Sequence, residues 1–128
     1  MMNDRQTMER LVRELHAARV GGEYNQLCGL FTDDAHFRIA GSSGGAPIEI
    51  SVNGIAEIRP WLAIMLKTFR LADYQMLSSI IDGGKAAVLW RVNIHSKITG
   101  ATVATELVDI IGVRQGRIAS YIEVFVRC

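Results

Sequence analysis

The sequence predicts an α+β domain: three helices in the N-terminal half, packed on one face of a strongly curved, mixed or antiparallel sheet. The first observation behind this is a change of period, because apolar residues recur at helical spacing up to about residue 71 and at a spacing near two beyond it. The second is punctuation. Asp82-Gly83-Gly84, Thr99-Gly100 and Arg114-Gln115-Gly116 divide the second half into three runs, as in an antiparallel meander. The third is continuity: 128 residues without repeat, low-complexity tract or linker make one domain, 1–128, with enough chain to bury a core.

The elements follow in order. Met8, Leu11, Val12, Leu15 and Ala18 share one face of a helix from Asp4 to about Val20, which Asp4 or Thr7 would cap and Gly21-Gly22 would end. A short helix fits Tyr24–Phe31, burying Leu27, Leu30 and Phe31, and a strand runs from about Ala35 to Ala40. "GSSGGAP" reads as a loop and "IEISVNG" as a strand. A third helix, Ile55–Leu71, buries Ile58, Trp61, Leu62, Met65, Leu66 and Phe69; Pro60 removes a helical donor and predicts a kink or a late start.

Composition narrows the function. The net charge is +1, which supplies no field for nucleic acid or an anionic membrane. The amphipathic N-terminus is neither signal peptide nor membrane span, and Cys28 and Cys128 lack metal-ligand spacing, so a reduced cytoplasm is the expected setting and no metal or organic cofactor is implied.

Turn chemistry gives a register. If Thr99-Gly100 is a two-residue hairpin loop, Ile94 faces Thr105, Val92 faces Leu107 and Trp90 faces Asp109 on one apolar face. Arg91, Asn93 and His95 fall on the more polar outer face. A three-residue loop Arg114-Gln115-Gly116 then sets Asp109 opposite Tyr121, Leu107 opposite Glu123 and Thr105 opposite Phe125, so two carboxylates and a phenol converge inside. Asp33, Asp34 and His36 invite an acid-base reading. However, short acids after a helix serve turns, and His36 points away from the core if Phe37 and Ile39 point in.

With "GGEYNQLCGLFTDDAHFRI", "NGIAEIRPWL" and "LVDIIGVRQGRIASYIEVF", nearly the whole chain resembles the nuclear-transport-factor-2-like superfamily, in its SnoaL-like and ketosteroid-isomerase-like branch. The resemblance implies a cone, the cystatin-like α+β barrel, with an apolar pocket between helices and sheet and dimers formed through the outer sheet face. It also implies departures from the isomerase pattern. The catalytic base position is Ile39, the oxyanion-binding tyrosine position is Leu15, and only the oxyanion-binding aspartic acid is kept, at Asp109. The limonene-epoxide-hydrolase type is a second relative: a one-residue strand shift would supply Arg91 and Asn93, with Glu123 at its last aspartate, whereas without the shift those positions are Trp90 and Val92.

The expected activity is isomerisation, cyclisation or dehydration of an apolar, oxygenated small molecule. Asp109, desolvated under Trp90, would donate to the substrate oxygen; Glu123 would move the proton; Tyr121 would position them. The alternative for Asp109 is a buried acid satisfied by Tyr121 or Trp90. Trp90, Phe37, Ile39, Trp61, Val92, Leu107 and Phe125 would form the pocket wall. The competing class is a non-catalytic ligand-binding or dimerisation module.

Overall fold

The computed structural model describes residues 4–43 and 46–127. In chain order it forms α1 (Asp4–Gly21), α2 (Tyr24–Gly29), β1 (Phe31–Ser43), β2 (Ala46–Asn53), α3 (Ile55–Thr68), β3 (Phe69–Asp82), β4 (Lys85–Ser96), β5 (Thr102–Arg114) and β6 (Arg117–Arg127). The sheet order is β2-β1-β6-β5-β4-β3. Every neighbouring pair is antiparallel except β1 with β6, which run parallel. The sheet is therefore mixed, and it is open, ending at β2 and β3 rather than closing into a barrel.

The apolar face of α1 is buried as its spacing requires, through Met8, Leu11, Val12, Leu15 and Ala18. These residues share a core with Leu27, Phe37, Ile58, Leu62, Val88, Trp90, Val92, Leu107, Ile111 and Ile118. Phe37 stacks on Tyr121 with ring centroids 5.6 Å apart. Asp4 and Thr7 are both helical, so neither precedes the helix as a cap. The second helix stops at Gly29, and Phe31 opens β1 instead. The third starts at Ile55 and continues through Pro60 to Thr68, so no late start occurs; Asn53 N–H donates to Glu57 Oε1 at 2.9 Å across its entry. Phe69 adopts extended geometry and begins β3, leaving the helix to which spacing assigned it. Strand geometry also reaches Ser43 and resumes at Ala46, where a loop was expected over 41–47; Gly44, Gly45 and Cys128 lie outside the described residues.

Two turns differ from expectation, and each moves partners without reversing faces. The β4–β5 connection spans Lys97–Ala101, with the Ile98 and Thr99 N–H groups donating to Ser96 Oγ at 3.2 Å and Gly100 at φ +78°. The ladder slides by two residues: Ile94 pairs Val103, Val92 pairs Thr105, Trp90 pairs Leu107 and Val88 pairs Asp109. The β5–β6 turn is a two-residue one, Gln115-Gly116, both at positive φ, with Arg114 paired to Arg117. By itself that shortening would turn Tyr121 and Glu123 outward. A bulge between the Gly112–Ser120 and Val113–Ile118 pairs restores them, so Asp109 faces Glu123, Ile111 faces Tyr121 and Leu107 faces Phe125.

Candidate functional site

Where α1 crosses the sheet it carries two polar residues on its buried stripe, His16 and Arg19, each four residues beyond an apolar one, Val12 and Leu15. His16 is 1 % exposed. Its Nε2 lies 2.9 Å from Asp109 Oδ2 and its Nδ1 2.6 Å from Tyr74 Oη. The imidazole also packs on Trp90, with centroids 4.5 Å apart. Asp109 is thus held by His16, not by Tyr121 or Trp90, and its Oδ1 and the Trp90 Nε1 are sealed without a hydrogen-bond partner among the described residues.

Arg19 is the second inward polar group. Its Nη1 donates to Glu123 Oε2 and, at 3.2 Å, to Tyr121 Oη; Tyr121 in turn donates to Glu123 Oε2 at 2.8 Å. The guanidinium also lies over Trp90, 5.3 Å from the ring centroid. Burial pushes Glu123 above the ordinary carboxylate value and Asp109 adds to this, against the pull of Arg19 and the Tyr121 hydrogen bond. Burial alone would lower Arg19, but Glu123, Tyr121 and Asp109 hold it above its usual value. Tyr121 is raised by burial first and then by Asp109 and Glu123.

Glu123 and Arg19 border a cavity of about 620 Å³. Its wall takes residues from all six strands and from α3, including Ile39, Ile50, Trp61, Leu66, Ile94 and Phe125. Ile64, Phe69, Ile98 and Val103 also line it and are exposed, which places its mouth between α3 and the β4–β5 loop. Ile39, Trp61, Phe125 and Glu123 therefore border one cavity. Tyr121 lies behind Glu123, and Asp109 lies deeper with His16. Trp90, Phe37, Val92 and Leu107 are core residues that do not border the cavity, Trp90 lying against His16 and Arg19 of α1. Sequence reasoning missed His16 and Arg19; their position on the apolar stripe of α1 was the available signal.

The other candidates sit elsewhere. Asp34 is exposed and accepts from Thr32 Oγ1 at 2.9 Å and from Arg114, the two bonds that hold its carboxyl below the usual range. Asp33 and Asp34 belong to an irregular stretch of β1 where its register with β6 shifts, so they are strand residues and not a chain reversal. His36 Nδ1 is 2.9 Å from Asn53 Oδ1. Arg91 faces outward and pairs with Glu106 at 3.1 Å, while Trp90 and Val92 face in, so the shift that would bring Arg91 and Asn93 inside does not occur. The outer face is mixed: Arg91, Asn93 and His95 lie at one end, and Arg38, Lys85 and Ser120 lie on the same face further along. Toward the β5–β6 turn it carries Ala87, Leu89, Val108, Ile110, Ile122 and Val124 on adjoining strands. No described helix is long and apolar enough to cross a membrane.

Three helices on an open six-stranded sheet of this order, around an internal cavity, define the nuclear-transport-factor-2-like class. The SnoaL-like domain family matches residues 12–121, and the chain belongs to that family. No curated protein matches the sequence. Among solved structures, a candidate isomerase from Bacillus subtilis is similar, with a TM-score of 0.83, 19% identity and coverage of 97% of this chain and 89% of that one. A candidate polyketide cyclase from Pseudomonas putida has a TM-score of 0.70 at 20% identity, over 96% of this chain and 91% of the other. An epoxide hydrolase of M. tuberculosis resembling the limonene type has a TM-score of 0.70 at 15% identity, over 91% and 80%. At these identities the likeness is one of fold.

Proposed function

We propose that the chain binds an apolar, oxygenated small molecule and transfers a proton within it, in an isomerisation, cyclisation or dehydration with Glu123 as the proton-moving group. One observation carries this reading: Glu123, a buried carboxylate with a raised pKa, borders an otherwise largely apolar cavity of about 620 Å³. The register adds support. Ile39 stands where related isomerases keep their base, and its partner on the adjacent parallel strand is Glu123. The carboxylate has moved sideways by one strand, about 4.8 Å, while still bordering the same cavity.

In this mechanism Glu123 takes a proton from carbon beside the substrate carbonyl and returns it to a second position. Tyr121 positions Glu123 through the 2.8 Å bond. The oxygen donor is Arg19 in place of the sequence-expected Asp109, because Arg19 reaches the cavity and Asp109 is sealed behind it. Asp109, fixed by His16, acts through its charge on Glu123. Screening aromatic and cyclic ketones with wild type, Glu123→Gln and Tyr121→Phe tests this. Turnover that survives in Glu123→Gln would overturn the acid-base reading.

A binding module is the second reading, favoured by Ile39 and Leu15 in place of the two isomerase residues. Ligand would then raise the melting temperature with no product formed. Pairing through the outer sheet face, at the apolar patch around Val108 and Ile122, belongs to either reading. The epoxide-hydrolase reading has least support, given the outward Arg91.

A further inference from the structure

The floor of the cavity is unevenly satisfied. Arg19 has five N–H donors and spends only its Nη1 group on Glu123 and Tyr121. Nε and Nη2 have no hydrogen-bond partner among the described residues, nor does Glu123 Oε1, and none of the three is sealed off as Asp109 Oδ1 and Trp90 Nε1 are. A forked donor and a carboxyl oxygen thus border an otherwise largely apolar chamber. We propose that the cavity takes an apolar ligand with a carboxylate head, which seats on Arg19 while Glu123 takes up one proton from solvent. This rests on the pocket reading above and not on its catalytic step: with the carboxylate seated, Glu123 holds a proton and is not a base, so such a ligand is bound without proton abstraction.

The charge balance explains the coupling. With Glu123 ionised, it and the Arg19 cation form a neutral pair. A ligand carboxylate arriving at the free edge of the guanidinium would leave two anions sharing one cation in a desolvated site, which like-charge repulsion disfavours. Protonating Glu123 restores neutrality, and its Oε1 becomes a donor to the ligand head. The surrounding groups divide: burial and Asp109 favour a protonated Glu123, Arg19 and the Tyr121 hydrogen bond an ionised one, and a ligand carboxylate on Arg19 offsets the pull of that cation. From α1, Arg19 is a cation in contact with Glu123 and His16 is engaged with Asp109; Asp109 on β5 repels a charge on Glu123; Tyr121 on β6 donates to it; Tyr74 on β3 is held by His16. The polycyclic or long-chain tail would run from this floor past Ile39, Phe125 and Trp61 to the mouth.

The test uses two probes with one tail, 1-pyrenebutyrate and 1-pyrenebutanol, titrated calorimetrically in buffers of differing ionisation enthalpy and followed by Trp61 quenching. The acid should bind with uptake of about one proton, its affinity falling about tenfold per pH unit where Glu123 is ionised in the free protein; the alcohol should bind without uptake or pH dependence. Glu123→Gln should keep acid binding and lose the proton uptake. Arg19→Met/Glu123→Gln, which leaves no unpaired buried charge, should lose the preference for acid over alcohol while still binding the alcohol. Equal affinities for the two probes, or acid binding without proton uptake, would overturn the inference and leave the pocket reading intact. Failure of both probes to bind would overturn both.

Discussion

Tyr121→Phe isolates one hydrogen bond in the buried network. The ring keeps its stacking on Phe37 and its edge contact with Phe31, so the packing volume lost is one oxygen. What disappears is the 2.8 Å bond donated to Glu123 and the 3.2 Å bond accepted from Arg19. With Glu123 ionised the first is charge-assisted, and its loss is expected to cost about 2 kcal/mol; with Glu123 protonated it is an ordinary bond of about 1 kcal/mol. The loss should therefore be larger at about pH 8 than at about pH 4.5, by about 1 kcal/mol, or about 4 °C in melting temperature. Urea titrations at both pH values, followed by tryptophan fluorescence with unchanged m-values, measure it. An equal loss at both pH values, or less than about 0.5 kcal/mol at pH 8, would refute the assignment of Tyr121 as a donor to an ionised Glu123.

Other perturbations probe the same architecture. Because the folded pKa of Glu123 lies above its ordinary 4.5, its contribution to stability is full below that value and is lost as pH rises through the folded pKa; wild type should lose stability relative to Glu123→Gln over this window in parallel melts. His16→Leu leaves both oxygens of a fully buried Asp109 without a partner and should destabilise by about 3–5 kcal/mol at neutral pH, with Asp109→Asn in the same chain recovering part of it in a double-mutant cycle. Gly41→Ala would put a Cβ 2.8 Å from Phe125 Cβ at a φ of +145°, so a loss of about 1–3 kcal/mol in denaturant melts and altered probe affinity are expected. If copies pair through the outer face, Ile110→Arg should give a monomer by sedimentation, with the cavity unchanged as read by Trp61 quenching.

A register built on the turns placed Tyr121, Glu123 and Asp109 inside, and the facing is kept although the β5–β6 turn is one residue shorter than expected, because the bulge makes the net slide two residues. That register was not enough to assign neighbours, since these depend on turn length and on a bulge that leaves no mark on the polar pattern. Depth was also illegible. Trp90, Phe37, Val92 and Leu107 share a face with Ile39 and Phe125, yet the first four lie in the core and only the last two reach the cavity. Which part of a face is covered depends on where α1 crosses, a tertiary fact. His16 and Arg19 were readable in principle. A histidine and an arginine on an apolar stripe require inward partners, and these two find Asp109 and Glu123.

The placement of β6 has a consequence for the order of events during synthesis. The strand of this sheet that comes last in chain order, β6, sits in its interior, between β1 and β5. Until it leaves the ribosome, the β1–β2 hairpin and the β3–β4–β5 meander have no strand between them, and each presents an unpaired edge. Its pairing with β1 joins residues as far apart as Ile39 and Glu123, a separation that slows folding. The strand that unites these halves also carries Tyr121 and Glu123. A nascent chain therefore acquires its acid-lined floor only in the step that completes the sheet, and a half-made copy offers sticky edges before it offers a ligand site.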